Sequence, residues 1–144
     1  MKYLLIIAAF CLFTTRIVAE PIDSAGYGDS TAAIVQDDIT ASIAAAISAG
    51  DSKKLASYFN SSIDLTVPGY DGTYSKSQAE MIVKDFFAKY SPASFKINQQ
   101  GSSNEGSQFA VGTLTAKATT FRTYFLIKKI NNVPLIHQLQ FEEE

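Results

Sequence analysis

Cysteine is almost absent: Cys11 is the only one among 144 residues, and it lies in an apolar N-terminal run. If that run is removed as a leader, the remaining chain can form no disulfide, thiol nucleophile or thiolate metal site. Histidine is equally scarce. His137 stands alone, and one imidazole without a clustered second histidine or carboxylate does not make a metal centre. Basic residues number 12 against 14 acidic ones and are scattered, which argues against nucleic acid as a partner. Long apolar runs are missing too. Leu4 to Phe13 would span about 15 Å as a helix, half of a hydrocarbon core of about 30 Å, so no stable membrane anchor is expected.

What the N-terminus does contain is a leader pattern. Lys2 gives a positive start, Leu4 to Phe13 an apolar centre, and Ile17-Val18-Ala19 a small-residue end, so residues 1–19 are expected to be a secretory signal cleaved after Ala19. Cys11 follows bulky Phe10 inside the run, a poor setting for lipid attachment. The chain is therefore expected to be exported, to the periplasm or beyond the cell. Residues 20–36, rich in Gly, Ser, Asp and Ala, read as a flexible spacer, and 37–144 as a single domain.

Ile39, Ile43 and Ile47 recur every four residues, with Asp37 or Asp38 to cap the helix and Gly50 to end it. Asp51 is placed to cap a second short helix through SKKLASYFN, whose Leu55, Tyr58 and Phe59 share one face. Ile63, Leu65 and Val67 alternate with Asp64 and Thr66 as a half-buried strand, and Pro68-Gly69 followed by Asp71-Gly72 turns the chain back. Ser75 and Gln78 form a capping box, with Ser77 and Glu80 as an overlapping alternative. The stripe Ala79, Ile82, Val83, Phe86, Phe87 and Tyr90 marks the main core helix, stopped by Pro92. Four strands are then expected, at 94–100, 108–117, 120–130 and 133 to about 142, with Asn131-Asn132 as a two-residue turn. This order predicts an α+β fold with helices packed on one face of a curved, four-stranded antiparallel sheet.

The order of elements resembles the nuclear transport factor two-like superfamily, the cone-shaped fold shared by ketosteroid isomerases, scytalone dehydratase and many association domains. More closely, GDSKKLASYF, IDLTVPGYDGTYSKSQAE, KDFF, QGSS, AVGTLT, TTFRTYFLIKK and LIHQLQFE resemble domain of unknown function 4783, a family of small exported proteins of the Bacteroidetes. The resemblance runs from about Ile39 to Glu142. It implies the fold and an envelope location, and no reaction or functional residue. His137 departs from the family's wording, where a polar amide is more typical.

In such a cone, functional space lies between the sheet and the helices. If the Asn131-Asn132 turn fixes simple pairing, Leu126 faces His137, Tyr124 faces Leu139 and Arg122 faces Phe141. Leu126, Leu135, Leu139 and Phe141 then point inward together with Arg122, Tyr124 and His137, a composition suited to a small-molecule pocket roofed by Tyr58 and Phe86. The structural alternative stands beside this. His137 can be a hydrogen-bonded filler, Arg122 can pair with Glu142 to Glu144, and Tyr124 can direct its hydroxyl to solvent.

The sequence thus favours a non-catalytic domain that binds a small ligand or a protein partner in the cell envelope, with no catalytic, cofactor or metal residue assigned. The alternative is an isomerase or dehydratase with His137 as general base and Tyr124 or Arg122 steadying an oxyanion; it lacks an orienting carboxylate. Phe121, Phe125, Ile127 and Ile136 fall on the opposite face in this register, which gives a motive for a homodimer through the sheet.

Overall fold

Glycine and proline punctuate the chain where its elements change. The computed structural model describes residues 31–144, with side chains from Ile39 onward; the expected signal at 1–19 and residues 20–30 of the expected spacer lie outside the described residues. Helix α1 (Thr31–Ala49) begins at Thr31 rather than at Asp37 or Asp38, and both acids lie inside it. The segment TAAIVQ that leads into it contains no Gly or Pro, and its alanines favour a helix. Ile43 and Ile47 are fully buried. Gly50 ends the helix in the left-handed region at φ +65°, where an added Cβ would come 3.3 Å from the Pro92 ring.

Asp51 caps α2 (Ser52–Ala56), its Oδ1 accepting from the Lys54 N–H at 2.9 Å. This helix stops earlier than SKKLASYFN suggested. Phe59 opens strand β1 (Phe59–Val67), and the Tyr58 carbonyl accepts from the Ile136 N–H at 2.7 Å. Aromatic Phe59 is better placed on a sheet surface than continuing a short exposed helix. Ile63, Leu65 and Val67 are buried and Asp64 exposed, as their alternation required. Gly69, at φ +91°, closes the turn into β2 (Tyr70–Ser75). The Thr73 hydroxyl donates to Asp64 at 2.6 Å and the Thr66 hydroxyl to Asp71 at 2.9 Å, joining the two strands by side-chain rungs.

Helix α3 (Lys76–Tyr90) starts on the predicted capping box. The Gln78 N–H donates to the Ser75 hydroxyl and the Ser75 N–H to the Gln78 side chain. Ala79, Val83, Phe86 and Phe87 are buried, with Ile82 and Tyr90 partly so. Ser91 turns left-handed at φ +46°, and β3 (Pro92–Ser102) follows, then β4 (Gln108–Ala116), β5 (Thr120–Ile130) and β6 (Val133–Glu143).

The sheet corrects the four-stranded antiparallel expectation. It has six strands in the order β2-β1-β6-β5-β4-β3, and β1 lies parallel to β6. The hairpin of β1 and β2 is part of the main sheet because the buried face of β1 extends the same core. The alternation of β1 was legible, but its neighbour was not, since that neighbour is the last strand of the chain.

Register corrects a second expectation. Ile130 pairs with Val133 and Ile127 with Ile136, but Leu126 then pairs with Gln138, leaving His137 as an extra residue. This β-bulge reverses the parity of everything beyond it. Phe121, Thr123, Phe125 and Ile127 therefore face the helices and are buried, whereas Arg122 is exposed and Tyr124 and Leu126 are half-buried on the outer face. The apolar patch expected to drive dimerisation is in fact the core.

Candidate functional site

The interior of the cone is filled by aromatic rings. Phe86 stacks on Phe141 with centroids 4.7 Å apart, meets Phe121 edge-on at 5.0 Å and contacts Tyr90 at 5.1 Å. Tyr90 meets Phe121 at 4.8 Å, and Phe87 reaches Phe141 at 6.1 Å. Each such pair contributes about 0.5–1.5 kcal/mol beyond its area burial. The helix stripe expected to roof a pocket instead occupies it. Of the five residues expected to line that pocket, Phe86 is a core plug at 5% exposure, and Tyr58 packs partly buried against the core.

Arg122, Tyr124 and His137 do share a face, but it is the outer one. Arg122 sits opposite Glu142 and Tyr124 opposite Gln140, and these four side chains line a shallow depression of about 180 Å³. Along the same face, Phe109 pairs with Leu126 and Val111 with Tyr124, all half-buried. Gln140 and the β4 residues were missed by sequence reading because their side was assigned through an unbulged register.

His137 is separate from this depression. Its Nε2 is buried and has no hydrogen-bond partner. The loss of hydration on burial holds its pKa below the ordinary 6.5, nearby Lys128 pushes it the same way, and Asp64 opposes them. Lys128 and Asp64 both occupy outward positions, so the imidazole lies on that side of the bulge. No carboxylate bonds to it, and nothing orients it as a base.

A second depression of about 440 Å³ lies where α1 crosses β3, lined by Thr40, Ala41 and the run Ile97 to Gln100 around the β3 bulge. Its β3 wall is mainly polar amides. Among the described residues there is no group of three His, Cys, Asp or Glu side chains that could hold a metal, and no helix is long and apolar enough to cross a membrane.

A six-stranded mixed sheet wrapped over helices places the chain in the cystatin-like, nuclear transport factor two-like class. A protein of unknown function described as NTF-2 like, from Silicibacter pomeroyi, superposes with a TM-score of 0.57 at 13% identity, over 80% of this chain and 98% of its own. The chain belongs to the DUF4783 family, a domain of unknown function, whose model matches residues 40–142. It is similar to the DUF4783 protein of Bacteroides ovatus, with 31% identity, a TM-score of 0.68, and 72% of this chain and 94% of that one covered. The DUF4783 protein of Bacteroides uniformis gives 27% identity and a TM-score of 0.70, over 74% and 97%. No curated protein matches.

Proposed function

We propose that the protein is a non-catalytic association domain of the cell envelope, and that it pairs with a second copy of itself through the outer face of its sheet. The observation that carries this reading is the filled cone. With Phe86 stacked on Phe141 and edge-on to Phe121, catalysis or ligand binding in the interior has no space, and the half-exposed outer face becomes the surface available for work.

Charge pattern selects the partner. Face-to-face sheets pack about 10 Å apart at a shallow angle. A two-fold axis running along the strands between β5 and β6 lays Arg122 of each copy against Glu142 of the other, and Tyr124 against Gln140. Phe109, Val111 and Leu126 supply apolar contact on the β4 and β5 side. A neighbour of the same fold from Xanthomonas campestris, 17% identical with a TM-score of 0.58, is described as a putative kinase association domain, a role in keeping with this use of the fold. The envelope location rests on the leader pattern of Lys2, Leu4 to Phe13 and Ala19.

Cross-linking tests the geometry, with Cys11 replaced by serine throughout. Tyr124→Cys and Gln140→Cys variants are prepared separately, mixed and treated with a short bis-maleimide, because sheets about 10 Å apart hold opposed Cα atoms beyond the reach of a disulfide. A mixed cross-linked dimer that forms faster than either self-linked dimer supports the two-fold arrangement. Equal, slow linking in all combinations rejects it.

A further inference from the structure

Strands β5 and β6 outrun their neighbours. β4 meets β5 no further along than Ile127, and β1 first meets β6 at Ile136, so Lys128 to Leu135 project past the sheet as a two-stranded hairpin. Asn131 and Asn132, at φ +50° and +63°, give its tip the tight turn whose twist matches paired strands. Cross-strand partners Ile130 and Val133 are 46% and 52% exposed on this tip, beside exposed Lys128 and Lys129. The hydrogen bond from the Ile136 N–H to the Tyr58 carbonyl sets α2, with its exposed Lys53 and Lys54, beside the base of the hairpin. An acidic chain thus collects cations around two aliphatic prongs.

We propose that this tip, a surface separate from the Tyr124 face, docks on an anionic lipid layer. Ile130 and Val133 enter the headgroup boundary, and the lysines extend along their apolar stems toward lipid phosphates. Size favours lipid over protein. Two half-exposed aliphatic side chains offer far less than the roughly 800 Å² per partner of a standard protein interface, whereas a lipid layer needs no matching shape. The acids Glu142 to Glu144 do not cancel the tip, because at about 3.3 Å per residue they lie more than two Debye lengths of about 8 Å along β6. Asp51, Asp64 and the β3–β4 loop's exposed Glu105 are the nearer acids, three against Lys53, Lys54, Lys128 and Lys129, and Lys128 and Lys129 stand beside the prongs themselves.

Vesicle co-sedimentation of the full chain tests this, comparing phosphatidylcholine alone with phosphatidylcholine containing about a third phosphatidylglycerol. The apolar Leu4 to Phe13 run is common to every variant, so differences among variants report the tip. Lys128→Ser with Lys129→Ser is expected to weaken partition onto anionic vesicles by about 10–30-fold. Ile130→Ser with Val133→Ser is expected to weaken it several-fold, and Lys84→Ser with Lys89→Ser on α3 to leave it unchanged. Anionic partition that is the same in the tip variants as in wild type, or lost equally in the α3 variant, overturns the proposal. So does a co-purified protein that is lost in the tip variants while vesicle binding is not.

Discussion

Thr123 occupies the core face of β5 with its hydroxyl buried and unpartnered, and His137 buries Nε2 in the same condition on the other face. A buried hydroxyl without a partner has lost its hydration for no return, so Thr123→Val is expected to raise stability by about 1 kcal/mol in chemical denaturation. A loss of stability would mean that the hydroxyl is satisfied. For His137 the sign follows from burial. The folded state disfavours the imidazolium, so the folded pKa lies below the unfolded 6.5, with Lys128 acting in the same sense and Asp64 against it. Its contribution to stability is complete above the unfolded value, declines as pH falls through the folded value, and is gone below it. Thermal unfolding followed from neutral to acidic pH should therefore show a decline that is shallower in His137→Asn, whose amide does not titrate. Identical profiles for the two proteins would exclude His137 as the source.

Among the elements, β4 and β3 are held by close approach rather than by side-chain bulk. A Cβ at Gly112 would come 2.5 Å from both the Lys96 carbonyl oxygen and the Phe95 ring, and a backbone oxygen in a paired strand has little room to move. Gly112→Ala is expected to cost about 1–3 kcal/mol, read as a lower denaturation midpoint with unchanged slope. The local signals for α2, α3 and both tight turns were legible because each depends on residues within four positions: Asp51, Ser75 with Gln78, Gly69, and Asn131 with Asn132. The inward face of β5 was misassigned because its side was inferred from β6 across a turn, and one extra residue at His137 inverted it. Two clues were present. The apolar residues Ile136, Leu139 and Phe141 are spaced by three and then two, which no unbroken strand gives when all face inward. Read alone, β5 also offers Phe121, Phe125 and Ile127 as its more apolar side. The pairing of β1 with β6 had no comparable local signal, since it joins the first and last strands.

For the molecule as a whole, the space between sheet and helices is filled by aromatic rings. Phe86 is the test of that packing, since it touches Phe87, Tyr90, Phe121 and Phe141 at once. Phe86→Ala is expected to lose about 3–5 kcal/mol of stability, measured by urea denaturation, because the surrounding rings cannot close the gap completely. A cost under about 1 kcal/mol would indicate a cone already loosely packed, and would reopen an interior ligand site. With the interior closed, the proposed association uses the outer face, and it stands or falls on Arg122 of one copy meeting Glu142 of the other. Sedimentation equilibrium on wild type, Arg122→Glu, Glu142→Arg and the double variant tests it most directly. The expected result is a wild-type dimer, weaker dimers in each single variant, where like charges meet, and recovery in the double variant, where the opposite charges are restored. A wild-type monomer at every concentration, or single variants that dimerise as well as wild type, would contradict it.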